Sequence, residues 1–147
     1  MKPITISSPI AAPPDQVFEA IVDIERLPAT SPDTVSIVFV GEQRKGPGTK
    51  FIETRKMGKQ TQEFPLELAE CDEVSRTARF ISEMHGTVWD TRMKVESEGR
   101  DSQVAFTMEA HTSSLFKRLV FTLMRGVFQK AMGKQVTALK RYCEGPR

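Results

Sequence analysis

The sequence predicts an α+β fold: one antiparallel sheet of about seven strands, covered on a single face by a long helix near the C-terminus. Three observations predict it. Between Thr34 and His111 apolar residues recur with period two in six segments, joined by links so short that neighbouring segments must run antiparallel. Each segment is apolar on one face and polar on the other, which describes a sheet that needs cover on one side. From Ser113 to Glu144 the spacing changes to three and four residues, the signature of an amphipathic helix.

The opening Ile4-Thr5-Ile6-Ser7 alternates as a half-buried strand should. Pro13-Pro14-Asp15 then marks a helix start, because proline's fixed φ suits the first turn and Asp15 complements the positive end of the helix dipole. Val17, Phe18, Ile21 and Ile24 follow at helical spacing. Leu27-Pro28 and Ser31-Pro32 end that helix, since a residue before proline is pushed out of helical geometry.

The strands that follow are Thr34–Glu42, Thr49–Met57, Thr61–Cys71, Arg76–Met84, Thr87–Glu96 and Gln103–His111. Turn-like links separate them, among them Gly46-Pro47-Gly48, Gly58-Lys59, His85-Gly86 and Gly99-Arg100-Asp101. Pro65 is discordant. It lacks the N–H a ladder needs, so a bulge, a sheet edge or a local break is expected there.

The closing helix carries one stripe of Phe116, Val120, Leu123, Met124, Val127, Ala131, Ala138 and Tyr142. About thirty residues at ~1.5 Å each span ~45 Å, whereas a strand of nine or ten residues spans only ~30 Å. The helix is therefore expected to cross the sheet and protrude. Leu115, Leu119, Phe121 and Phe128 lie outside the stripe, so its first half is apolar on more than one side. That surplus fits packing under the first helix or a loop, a lip at a ligand entrance, a dimer contact or a membrane-touching patch.

Composition narrows the function. With 147 residues, 39% of them hydrophobic and 27% charged, residues 1–147 are expected to form one globular domain. No apolar run reaches the ~20 residues of a membrane span, and the N-terminal residues lack a secretory h-region, so cytoplasmic residence is expected. Cys71 and Cys143 are too few for a disulfide framework. The separated His85 and His111 make no metal-ligand spacing, and no metal or other cofactor is expected. Net charge is +2 but uneven: from Ser113 onward eight basic residues face Glu144 alone, a balance of +7, leaving −5 for the rest. A basic helix on an acidic body fits an anionic ligand, a membrane surface or a partner protein, or simply a solvated face. Nucleic acid is a poor fit, because no binding motif or aromatic platform accompanies the charge.

The order of these pieces resembles the START-like helix-grip superfamily (SRPBCC), particularly its bacterial polyketide cyclase/dehydrase and lipid-transport members. The residues that carry the resemblance are Ala12-Pro13-Pro14-Asp15-Gln16-Val17-Phe18, Leu27-Pro28 with Pro32, and Gly46-Pro47-Gly48-Thr49. Ser102-Gln103-Val104 and the terminal Leu139-Lys140-Arg141-Tyr142-Cys143-Glu144 complete the set. One departure is Ala29, Thr30 and Ser31, where members often carry a tryptophan. The resemblance implies a helix-grip fold: a strongly curved sheet, two short helices near the N-terminus, and a long C-terminal helix over the concave face. It also implies a tunnel that holds a lipid, a sterol, a polyketide or another hydrophobic molecule.

The expected function is therefore noncovalent binding of a hydrophobic small molecule between sheet and helix. Candidate wall residues are Phe51, Phe64, Leu66, Phe80, Met84, Trp89, Met93, Phe106 and Met108 from the strands, with Phe116, Val120 and Met124 from the helix. Methionine and phenylalanine suit an adaptable apolar wall, and they equally suit packed core. Gln135 interrupts the helix stripe and is placed to orient a ligand oxygen. An alternative is a cyclase or dehydratase, which needs an acid or base near an enolisable carbon. Glu53 and Arg55 are the candidates, sharing a strand face with Phe51 and Met57, though an ion pair at the sheet edge or on the convex face explains them as well. No GxSxG or cysteine–histidine arrangement points to nucleophilic catalysis. A third alternative is an interaction module using the basic helix on a membrane surface or a partner, a second copy of the chain included.

Overall fold

The computed structural model describes residues 1–145. Its strands are β1 (Ile4–Ile10), β2 (Thr34–Val40), β3 (Thr49–Met57), β4 (Gln60–Asp72), β5 (Thr77–Met84), β6 (Thr87–Glu98) and β7 (Asp101–Thr112). They form one antiparallel sheet in the order β1-β7-β6-β5-β4-β3-β2. Strands β2 to β7 are a meander, and β1 returns along β7 with Ile6 opposite Phe106. Consecutive strands turn over in tight loops where Gly58 and Gly99 supply the positive φ that a two-residue hairpin demands. Helices α1 (Pro14–Val22) and α2 (Leu27–Thr30), joined by a 3₁₀ turn at Ile24–Arg26, connect the two outermost strands. The segment from Ile10 to Thr34 must therefore pass from one edge of the sheet to the other.

Pro65 pairs with Ile52 of β3, within a β4 that continues unbroken. On its other side the β4–β5 ladder begins only at Glu67, and it slips register between Leu68 and Glu70. The Ser82 hydroxyl donates to the Pro65 carbonyl at 2.6 Å. A residue's N–H and C=O point the same way in a strand, so the missing proline donor faces a stretch where no ladder exists. Of the alternatives of a bulge, a sheet edge or a local break, Pro65 takes the edge, where β4 has no β5 partner, and the irregularity lies further on, between Leu68 and Glu70.

The closing helix departs from the expectation of a single span. It is two helices, α3 (Leu115–Leu123) and α4 (Arg125–Glu144), divided at Met124, whose ψ of 4° leaves helical geometry. Ser114 caps α3 by accepting from the Lys117 N–H. The break resets the helical phase. In α4 the buried residues are Met132, Val136, Leu139 and Cys143, and Tyr142 and Val127 of the expected stripe are exposed. Along its length α4 packs on β1, α1 and α2. No helix among the described residues is long and apolar enough to cross a membrane.

The core gathers at the end of the sheet where α1 sits. Val17, Phe18 and Ile21 of α1 meet Leu68, Ala78, Val95 and Val104 from the strands and Leu139 and Cys143 from α4. The fully buried Ser102 hydroxyl locks this corner by donating to the Ala12 carbonyl at 2.7 Å. On the opposite sheet face Asp90 is only 3% exposed, held by Arg79 at 2.7 Å and by Arg92 at 3.4 Å. Burial pushes the Asp90 carboxyl up, but the hydrogen bonds and charges of Arg79 and Arg92 outweigh it, and its pKa lies below the ordinary carboxylate value.

A depressed folded-state pKa means that Asp90's stabilisation is fully present above its unfolded-state value, near pH 4, and drains away as pH falls through the lower folded value. Asp90→Asn is therefore expected to cost about 1.5 kcal/mol at pH 7, the low end for charge-assisted hydrogen bonds because the Arg79 side chain is 32% exposed. Urea denaturation measures it, and the gap between variant and parent should narrow as pH falls below the unfolded-state value and on through the lower folded one.

Candidate functional site

The inward-facing files of side chains on β3 to β7 run from packed core at the α1 end to cavity wall at the other. On β3 the buried Thr49 gives way to Phe51, Glu53, Arg55 and Met57, and on β4 Leu68 gives way to Leu66 and Phe64. On β5 Ala78 is followed by Phe80 and Ser82. On β6 Val95 is succeeded by Met93, Thr91 and Trp89, and on β7 Val104 by Phe106 and Met108. The period of two puts these residues on one face, and the length of the strands beyond α1 leaves them without a partner helix surface in contact. The space between them and α4 is a cavity of about 370 Å³, within the range of small-molecule sites.

Helix α4 supplies the opposite wall through Phe128, Ala131, Met132, Gln135 and Leu139, and Ile21, Leu27 and Thr30 close the end nearest α1 and α2. Thr30 stands in the stretch where the expected tryptophan is absent. Phe51 and Phe80 meet edge to face at 6.4 Å. Trp89, Phe121 and Phe128 form a second aromatic group, with Trp89 5.0 Å from Phe121 and 5.4 Å from Phe128. Phe121 thus backs the cavity wall from α3.

The polar groups in this apolar enclosure are few. Glu53 is 7% exposed. Its Oε2 accepts from the Thr34 hydroxyl at 2.7 Å, and its Oε1 lies 3.5 Å from the Arg55 guanidinium. A buried carboxylate is costly unless hydrogen-bonded and paired, and here each oxygen has one partner. Ser82 spends its proton on Pro65. Thr30, Thr91 and Gln135 complete the polar lining. The arrangement can enclose an apolar body and offer a carboxylate, a guanidinium and an amide to its polar end.

Most of the sequence-derived wall residues come together here: Phe51, Phe64, Leu66, Phe80, Trp89, Met93, Phe106, Met108 and Gln135, with Glu53 and Arg55 on the cavity wall rather than the convex face. Four lie elsewhere. Met84 has the right parity but sits at the β5–β6 hairpin end, beyond the wall. Phe116, Val120 and Met124 belong to α3 and the break, and the altered phase carries them away from the cavity, Phe116 being 74% exposed. Besides Ala131, which the expected stripe already held, the helix residues that line it are Phe128, Met132, Gln135 and Leu139, at the spacing four, three, four. That second stripe was readable, but it competed with the longer one that begins in α3.

The cysteines offer no nucleophile. Burial, with a smaller push from Glu144, raises the Cys143 thiol to about 11, and burial followed by Glu73 and Asp72 raises Cys71. Among the described residues no cluster of His, Cys, Asp and Glu is placed to hold a metal.

Thr34→Val keeps shape but leaves Glu53 Oε2 without its donor. It is expected to lower stability by about 1–3 kcal/mol, readable as a shift in the denaturation midpoint with the slope unchanged.

The family model described as polyketide cyclase / dehydrase and lipid transport matches residues 1–144. No curated protein matches the chain. Among solved structures, it is similar to the Zhui aromatase/cyclase of a Streptomyces species, with a TM-score of 0.81 and 11% identity over 97% of this chain and 93% of that one. It is similar to TTHA0849 of Thermus thermophilus, with a TM-score of 0.77 and 19% identity over 95% and 94%. The truncated norcoclaurine synthase of Thalictrum flavum gives a TM-score of 0.76 and 14% identity over 99% and 95%. Likeness at these identities is likeness of fold.

Proposed function

This chain belongs to the polyketide cyclase/dehydrase and lipid-transport family, and from that premise we propose that it binds a hydrophobic small molecule, a lipid, sterol or polyketide-like compound, between the sheet and α4. The observation that carries the reading is the 370 Å³ cavity whose wall is mostly phenylalanine, methionine, leucine and tryptophan. Such a wall gains from withdrawing apolar ligand surface from water. The Glu53, Arg55 and Gln135 groups orient the occupant by its oxygen-bearing end.

Met108→Trp tests this. The added ring takes the volume a ligand needs, so uptake of the fluorescent probe ANS should fall by about tenfold or more, with the far-ultraviolet circular dichroism unchanged. Probe affinity in the parent should change little with salt. Unaltered uptake by the filled variant would remove the cavity from consideration as the binding site.

A second reading is favoured by one specific feature, a positioned carboxylate inside the cavity. In this reading the chain is a cyclase or dehydratase, and Glu53 takes a proton from a carbon next to a ligand carbonyl while Arg55 holds the developing oxyanion. The aromatase/cyclase and the norcoclaurine synthase to which the chain is similar share this fold. Glu53→Gln separates the two readings. A carrier should keep ANS affinity within about threefold, whereas an enzyme given a polyketide-like substrate should lose turnover by about a hundredfold or more.

A further inference from the structure

Helix α3 is turned inside out. Leu115, Phe116, Leu119 and Leu123 share one arc of it, with Val120 half-buried at its edge, and that arc faces away from the protein: Leu115 and Leu123 are each 77% exposed. No residue of α3 is buried. The opposite arc, turned to the body, holds Phe121 between Lys117 and Arg118. Lys117 donates to the His85 carbonyl and Arg118 to the Thr112 carbonyl. The ridge continues past the break through Val127. An ordinary surface helix buries its apolar arc and exposes its charges, so this arrangement leaves a contiguous apolar ridge with nothing from the described chain over it.

The charge around the ridge identifies what covers it. From Ser113 to Tyr142 the sequence contains no carboxylate. Lys117, Arg118 and Arg125 hydrogen-bond to backbone carbonyls, Arg125 to those of Lys2 and Pro3, and Lys130 is exposed. Those bonds go to uncharged carbonyls, and no ion pair among the described residues compensates these positive charges. Two copies meeting ridge to ridge would bring these cations together, which disfavours a second copy of the chain. An anionic lipid surface accepts both parts, the acyl boundary taking the leucines and phenylalanine and the headgroups taking the cations.

We propose that α3 docks the protein on anionic membrane surfaces, lying in the interface with the Leu115–Leu119–Leu123 ridge inserted. This goes beyond small-molecule binding and does not depend on it, although Phe121 behind Trp89 sets the docking helix against the cavity wall.

The test is cosedimentation of the full chain, without added ligand, with phosphatidylcholine vesicles that contain phosphatidylglycerol or lack it. The parent should sediment with the mixed vesicles and lose binding as NaCl rises from about 0.05 to about 0.5 M. The double variant Leu119→Ser/Leu123→Ser should bind at least about tenfold more weakly, and Lys130→Glu should bind more weakly at low salt only. Circular dichroism and ANS uptake equal to the parent's show that these variants fold and keep the cavity, so failure of docking and failure of the binding reading are distinct. Equal sedimentation with pure phosphatidylcholine, or a double variant that sediments like the parent, overturns the proposal. So does a parent dimer by light scattering that the double variant abolishes while vesicle binding is absent throughout.

Discussion

The structure depends on a mismatch of lengths. Strands of up to 13 residues present an inward face longer than the helices lying against it can cover. Helix α1 and the buried C-terminal half of α4 meet that face at one end and form a dry core with Val95, Val104 and Leu68. At the other end the same files of side chains run on without close cover. Large side chains on curved strands cannot collapse into the space without breaking backbone pairing, so a hollow is left.

Why the hollow can carry polar groups follows from the same frame. Glu53 is affordable inside an apolar wall only because β2 brings Thr34 beside it and β3 itself brings Arg55 two residues on. The bulge between Thr34 and Ser36 displaces β2 at that point. On the outer face, the Asp90, Arg79 and Arg92 group ties β5 to β6 where the β4–β5 ladder has begun to fail. The sheet is thus braced from outside at the strands whose inner sides are least supported.

The break at Met124 divides two tasks that one helix would combine. Helix α4 is held by its buried residues, and α3 by a cap, two long cationic side chains and Phe121. Elements with so little buried contact open at low free-energy cost. The part of the molecule nearest Trp89 is therefore also the part most readily displaced.

The sheet was readable from the residues alone. Period-two patterning and hairpin chemistry are local properties, so the strands, the antiparallel meander from β2 to β7 and the face carrying Phe51, Phe80, Met93 and Phe106 were legible, whereas the non-local pairing of β1 with β7 was not. Even Pro65, which names its own defect through its missing donor, was readable. Depth and phase were settled by packing between distant elements. A phenylalanine reads alike as core or as wall, because volume depends on distant elements; Val104 and Met108 share a strand face, and only the reach of α1 and α4 makes one core and the other lining. The helix phase was lost for a related reason. Both stripes of Ser113–Glu144 were present in the residues, and the break at Met124 between them leaves Phe116 exposed and Val120 and Met124 off the cavity wall.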